Sequence, residues 1–77
     1  IEQLHQHHRE RLDELRSALA QAPRNAAEVL PLMFPRKLDL HQTTFAMGEA
    51  IAHLNHLWLA GEAVRRRGPD GIWTFGR

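Results

Sequence analysis

The chain has 77 residues, enough for one small domain with a modest core and too few for a second. The absence of cysteine excludes a disulfide framework, a thiolate nucleophile and a cysteine zinc cluster, and it fits a cytoplasmic protein. Ten basic and nine acidic residues give a net charge of +1, so attraction to nucleic acid would have to come from a local patch.

The first predicted element is a long amphipathic helix over residues 2–22. Leu12, Leu15 and Leu19 recur at helical spacing, and neither glycine nor proline precedes Pro23. This apolar stripe predicts that the helix packs on a core and ends at Pro23.

A second, short helix is predicted over residues 26–34. Asn25 and Glu28 have the spacing of a capping box, in which each side chain accepts a hydrogen bond from the backbone N–H of the other residue. Pro31 removes one backbone donor inside this segment, so we expect a kink or a very short element.

The third predicted helix covers residues 40–60. Asp39 and Gln42 form another capping-box pattern, and Gly61 is the expected C-terminal cap. Apolar residues follow the helical period at Met47, Ala50, Ile51, Leu54, Leu57 and Trp58.

A β-hairpin is predicted after the third helix, with strands over residues 62–67 and 71–76. Residues 68–71 read Gly-Pro-Asp-Gly, which is typical of a turn, and the residues that follow are β-branched or aromatic. A lone hairpin is marginally stable in water, so Trp73 or Phe75 must rest on the helices.

The order of these elements predicts a mainly α fold with a small β-hairpin, a winged helix-turn-helix that occupies residues 1–77 as one domain. We expect the structural core to contain Leu12, Leu15, Leu19, Ile51, Leu54, Leu57, Trp58 and Trp73.

Several short motifs occur in order along the chain: His8-Arg9-x-Arg11, Leu32-Met33-Phe34-Pro35, Ala52-His53-Leu54-x-x-Leu57, Gly61 and Asp70-Gly71. Together they resemble the winged-helix domain at the C-terminal end of many metallo-β-lactamase-fold hydrolases, the β-lactamase-associated winged helix. The resemblance spans nearly the whole chain. Pro31 and the run Arg65-Arg66-Arg67 depart from that family's pattern.

The resemblance implies that catalysis belongs to an N-terminal metallo-β-lactamase-fold domain, which binds a pair of zinc or similar metal ions through a His-x-His-x-Asp-His motif. Residues 5–8 echo that motif, but Arg9 and Glu10 stand where it requires Asp and His. We therefore carry over no metal ligand and no cofactor to this chain. The resemblance does imply that His8, Arg9 and Arg11 contact the catalytic domain. It also implies that His53, Leu54 and Leu57 are structural residues of the third helix.

The chain begins at Ile1 without an initiator methionine or a signal-like segment, so we expect it to be the C-terminal fragment of a larger hydrolase in the cytoplasm. Its longest apolar run is far shorter than the ~20 residues that cross a bilayer. The expected partner is the metallo-β-lactamase-fold domain of the same protein, and a homo-oligomer is left open.

Two groups of histidines are candidates for a metal site. His5 and His8 share a helical face whereas His7 points away, and two nitrogens are too few for a structural zinc site. A second group, which lies on one face of the third helix, consists of Glu49, His53 and His56. We prefer to interpret it as the polar face of a surface helix, with a metal-sensing domain as the alternative.

A winged helix also raises the question of nucleic-acid binding. The third helix contains neither lysine nor arginine, so the charge that neutralises phosphate is missing from it. Arg66 must point away from its neighbours Arg65 and Arg67 on a strand. We interpret this basic run as solvated edge-strand charge, with contact to an anionic substrate or an acidic partner as the alternative. A free-standing nucleic-acid-binding module is the rival hypothesis, which we do not favour.

Catalysis within the chain has no support in the sequence. Ser17 is the only serine, no base stands beside it in the sequence, and there is no glycine-rich phosphate cradle. Because the resemblance places catalysis in another domain, it implies that this chain is a non-catalytic accessory domain that docks on the catalytic domain and shapes substrate access or subunit packing.

Overall fold

The computed structural model of the chain describes residues 2–77, with side chains from Arg9 onward. Its elements are α1 Glu2–Gln21, β1 Arg24–Asn25, α2 Ala26–Met33, α3 Leu40–Leu59, β2 Val64–Arg67 and β3 Trp73–Gly76. The predicted fold class is confirmed, because three helices are followed by an antiparallel hairpin in the order of a winged helix.

The sheet contains one strand more than the predicted hairpin. β1 pairs antiparallel with β3, with Arg24 opposite Phe75 and Asn25 opposite Thr74, so the strand order is β1-β3-β2. The predicted two-stranded wing is present, but β1 was not predicted, because a strand of two residues has no alternating pattern to recognise. β3 is the central strand, and the hairpin is therefore fastened to the connection between α1 and α2.

Both predicted capping boxes are present. The Asn25 side chain accepts a hydrogen bond from the Glu28 N–H at 2.9 Å, and the Glu28 carboxylate accepts one from the Asn25 N–H at 2.9 Å. Asp39 and Gln42 make the equivalent pair at 2.7 and 3.1 Å. α2 continues through Pro31, but it is only 8 residues long, as the very short element expected there.

Gly61 ends α3 as predicted. Its φ of 77° lies in the left-handed region, and its N–H donates to the Trp58 carbonyl at 3.1 Å. The Glu62 N–H donates to the Leu57 carbonyl at 2.8 Å, which completes a Schellman motif. Because residues 61–63 form this cap and the turn after it, β2 begins at Val64 and not at residue 62.

The core lies where α1, α2, α3 and β3 meet. Its buried apolar side chains are Leu15, Leu19, Val29, Met33, Ala50, Leu54, Leu57, Ala63 and Phe75. Leu12 and Trp58 are partly buried and pack against this cluster. Leu15, Leu54 and Leu57 are completely buried, so the predicted leucine stripes of α1 and α3 do face each other.

Two predicted core residues lie at the surface. Ile51 is 45% exposed because the buried side of α3 is centred on Ala50 and Leu54, and Ile51 stands about 100° around the helix from Ala50. Trp73 is 42% exposed because it pairs with Arg67 at the turn end of the hairpin, beyond the helices. Phe75 takes the place in the core that the prediction gave to Trp73.

Ion pairs join α1 to the turn that follows α3. The Arg16 guanidinium donates to both carboxylate oxygens of Glu62, at 3.1 and 3.0 Å, and to the Asp13 carboxylate at 2.7 Å. The hydrogen bond from Arg16 lowers the pKa of Glu62 below its ordinary value of 4.5. The same hydrogen bond raises the pKa of Arg16.

We expect the stability of the domain to depend on this carboxylate in mild acid. A lowered folded-state pKa contributes stability above the unfolded-state pKa, and that contribution is lost as the pH falls through the folded-state pKa. As the pH falls below about 4.5, Glu62→Gln should therefore lose less of its free energy of unfolding than the unaltered chain does, as measured by urea denaturation. Glu14→Gln, which changes an exposed glutamate of α1, should retain the wild-type profile; equal profiles for both variants would contradict the role of the Arg16–Glu62 pair.

Candidate docking surface

The predicted docking residues lie in the N-terminal half of α1. The side chain of His8 lies outside the described residues, as do those of His5 and His7. Arg9 is exposed, and Arg11 is half-buried with its guanidinium carbon 5.0 Å from the centre of the Phe34 ring. Arg11 is thus held against the end of α2 by a cation–π contact.

A cleft opens beside Arg11, between α1, the connection from α2 to α3, and the start of α3. Its volume is about 300 Å³, and it is lined by Arg11, Phe34, Arg36, Leu38, His41, Gln42, Phe45 and Ala46. We call this the Arg11 cleft. Phe45 is 68% exposed, which is unusual for a phenylalanine in a soluble domain. Sequence reasoning missed the cleft because its lining comes from separate elements.

The outer face of α3 includes exposed apolar residues where a nucleic-acid-binding helix would carry basic ones. Leu40 and Leu59 are 85% and 76% exposed, near the two ends of the helix. The hydroxyls of Thr43 and Thr44 donate to carbonyls of their own helix, at 2.7 and 3.0 Å. With no lysine or arginine in α3, this face suits contact with a protein better than contact with phosphate.

The three wing arginines have different surroundings. The Arg65 guanidinium lies 3.6 Å from the ring centre of Trp58 and 4.3 Å from that of Trp73. It also donates to the Asn55 side chain at 3.2 Å. Arg65 therefore fastens the wing to α3, and the exposed Arg66 and Arg67 are the members of the run that stay available to a partner. Trp58 and Trp73, which stand seven residues before and eight residues after Arg65 in the sequence, were the signal from which this stack could have been predicted.

His53 is buried together with Leu54 and Leu57, in agreement with the structural role that the resemblance implies for them, and this corrects the polar surface face on which helical spacing placed it. It is 5% exposed, and its Nδ1–H donates to the Glu49 carbonyl at 2.6 Å. Glu49 is half-buried and His56 is exposed, so the predicted cluster does not share one environment. In the part of the chain that the structure describes, no group of three or more histidine, aspartate or glutamate side chains is placed to hold a metal ion.

None of the helices in the described range is both long and apolar enough to span a membrane.

These features define a small winged-helix-like domain with a surface cleft that is lined by apolar and basic side chains. The sequence profile described as metallo-beta-lactamase-like, C-terminal domain, matches residues 12–77, and the chain belongs to that family. No curated protein matches the chain significantly.

A solved structure with closely similar architecture is described as the crystal structure of a beta-lactamase domain protein from Burkholderia ambifaria. It is 56% identical in sequence to this chain, with a TM-score of 0.94. The match covers 100% of this chain and 23% of that protein's chain. The present chain therefore spans about a quarter of the length of this relative.

Proposed function

We propose that the chain is the non-catalytic C-terminal domain of a cytoplasmic metal-dependent hydrolase of the metallo-β-lactamase superfamily. Its role is to dock on the metallo-β-lactamase-fold domain of the same protein and to shape substrate access or subunit packing. In this proposal the pair of zinc or similar ions belongs to the partner domain. The family match and the share of the Burkholderia protein that the chain covers support this placement within a longer protein.

The observation that carries the docking role is the position of Arg11. Its guanidinium is held against Phe34, on the edge of a cleft that exposes the ring of Phe45. Exposed aromatic and arginine side chains side by side are typical of protein interfaces, where they are enriched over lysine and glutamate. Arg9 adds an exposed positive charge half a turn before Arg11 on α1.

Arg9→Ala with Arg11→Ala should weaken association between this chain and the separately produced metallo-β-lactamase-fold domain of its parent. We expect a loss of about tenfold or more in affinity, because truncating an arginine at an interface hot spot costs roughly 1–2 kcal/mol. Titration calorimetry or interferometry measures the change.

Arg77→Ala is the matched control, since it removes an exposed arginine that lies outside both the Arg11 cleft and the basic run of the wing. Circular dichroism establishes that each variant is folded. If the unaltered domains do not associate, or if the double variant binds as tightly as Arg77→Ala, the proposed docking through α1 is wrong.

A further inference from the structure

The Arg11 cleft has an apolar floor and a basic rim. Phe34, Leu38 and Phe45 supply the apolar surface, and Ala46 closes the base as a buried residue. Arg11 and Arg36 stand on the rim together with His41. In such a site an apolar side chain of a bound partner is removed from water, while a charged side chain next to it forms an ion pair with the rim.

Both charged side chains that line the cleft, Arg11 and Arg36, are basic. Among the side chains described from Arg9 onward, no carboxylate lines it. The nearest acid in the connecting loop is Asp39, whose side chain accepts a hydrogen bond from the Gln42 N–H at 2.7 Å and so caps α3. Lys37 is an exposed cation in the same loop. The field over the cleft therefore favours a negatively charged occupant.

The volume and the apolar lining indicate which kind of anion fits. About 300 Å³ is at the small end of ligand pockets, which suits one or two side chains. A phosphate backbone would meet the exposed ring of Phe45 and the exposed Leu40, neither of which it can bind favourably.

We propose that the Arg11 cleft receives a segment of polypeptide that combines an apolar anchor side chain with flanking carboxylates. The anchor packs between Phe34 and Phe45, and the carboxylates pair with Arg11 and Arg36. This inference rests on the proposed docking function, because Arg11 belongs to both, and it names the chemistry of the surface that this domain recognises.

Peptide probes test the two parts of this recognition separately. The first probe is a short peptide with leucines flanked by glutamates; the second carries lysines in place of the glutamates, and the third carries serines in place of the leucines. Each is titrated into the 77-residue chain while backbone amide signals are followed by NMR. We expect the first probe to shift the signals of Gln42, Phe45 and Ala46, with binding that weakens in high salt. The other two should bind at least about tenfold more weakly.

Matched variants locate the site. Phe45→Ser should weaken binding of the first probe about tenfold, whereas Ile51→Ser, which changes another exposed apolar residue of α3, should leave it unchanged. Arg36→Gln should reduce both the affinity and its salt dependence, whereas Arg77→Gln should not. Both residues of the first pair are exposed, so the fold should tolerate either change.

Three results would overturn the inference: equal binding of the lysine peptide, shifts that cluster away from the cleft, or preferential binding of a short DNA duplex through the same residues. Its failure is separable from failure of the proposed function. If the chain docks on the catalytic domain but does not bind the acidic peptide, the proposed docking through α1 stands and only the proposed acidic and apolar segment is ruled out. If the peptide binds but the two domains do not associate, the cleft is a site for acidic peptides and the proposed partner is ruled out.

Discussion

Leu54→Ala is expected to lower the free energy of unfolding by about 3 kcal/mol. Leu54 is completely buried at the centre of the core, where α3 packs against α1 and α2. Removing its outer carbons forfeits apolar burial and leaves a cavity that neighbouring leucines cannot fill without moving. For a chain of 77 residues, whose net stability is of the order of 3–5 kcal/mol, the variant should retain about 0–2 kcal/mol, so between a few per cent and about half of the molecules should be unfolded at 25 °C.

Urea denaturation followed by circular dichroism measures this effect, and Ile51→Ala is its matched control. Ile51 lies three residues earlier on the same helix with 45% of its surface exposed, so we expect its loss to cost less than about 1 kcal/mol. If Leu54→Ala does not fold, Leu54→Met provides a second variant whose free energy of unfolding can be measured. We expect that variant to lose less than about 1.5 kcal/mol. Similar costs for Leu54→Ala and Ile51→Ala would contradict the observed orientation of α3.

The contrast between these two positions illustrates what the sequence determines. Helical spacing correctly predicted that one side of α3 is buried, but it did not locate the centre of that side, because Ile51 and Leu54 fit the same period. The small residues Ala46 and Ala50 face the core, where α3 comes close to α2 and a large side chain would not fit. Ala46 was absent from the predicted apolar pattern, because the low hydrophobicity of alanine conceals a buried position.

Helical spacing misplaced His53 for a related reason. An imidazole between apolar residues is ambiguous in a sequence, because its burial depends on the elements that pack over it. By contrast, the capping boxes at Asn25 and Asp39 were predicted correctly because each is completed within four consecutive residues. Local hydrogen bonds can be predicted from spacing, whereas the direction of a buried face depends on the elements that cover it.

The candidate site shows the same limit. Arg11 was predicted as a docking residue from its motif, and its contact with Phe34 joins residues that are 23 positions apart in the sequence. The Arg11 cleft needs residues from α1, from the loop after α2 and from the first turns of α3. No spacing rule links these segments, so neither the cleft nor the exposure of Phe45 could be predicted before the helices were assembled.

Arg65→Ala should release the wing from α3 and cost about 2 kcal/mol of stability. The estimate combines two cation–π contacts, each worth roughly 0.5–2 kcal/mol, with one side-chain hydrogen bond to Asn55. Trp58 and Trp73 are the only tryptophans of the chain, and both contact this guanidinium. Intrinsic fluorescence of the folded variant should therefore shift to the red as both rings gain water, and urea denaturation measures the loss of stability.

Two further variants separate the stack from the charge. Arg65→Lys keeps the charge but loses the planar group that lies between the rings, so it should resemble Arg65→Ala more than the unaltered chain. Arg66→Ala removes a neighbouring exposed arginine, and we expect a change within about 0.5 kcal/mol and no spectral shift. Unchanged fluorescence in Arg65→Ala would mean that the wing is held by Phe75 and the pairing of β3 with β1 alone. The red shift would instead establish that the first arginine of the basic run is a structural residue, which confines any partner contact of the wing to Arg66 and Arg67.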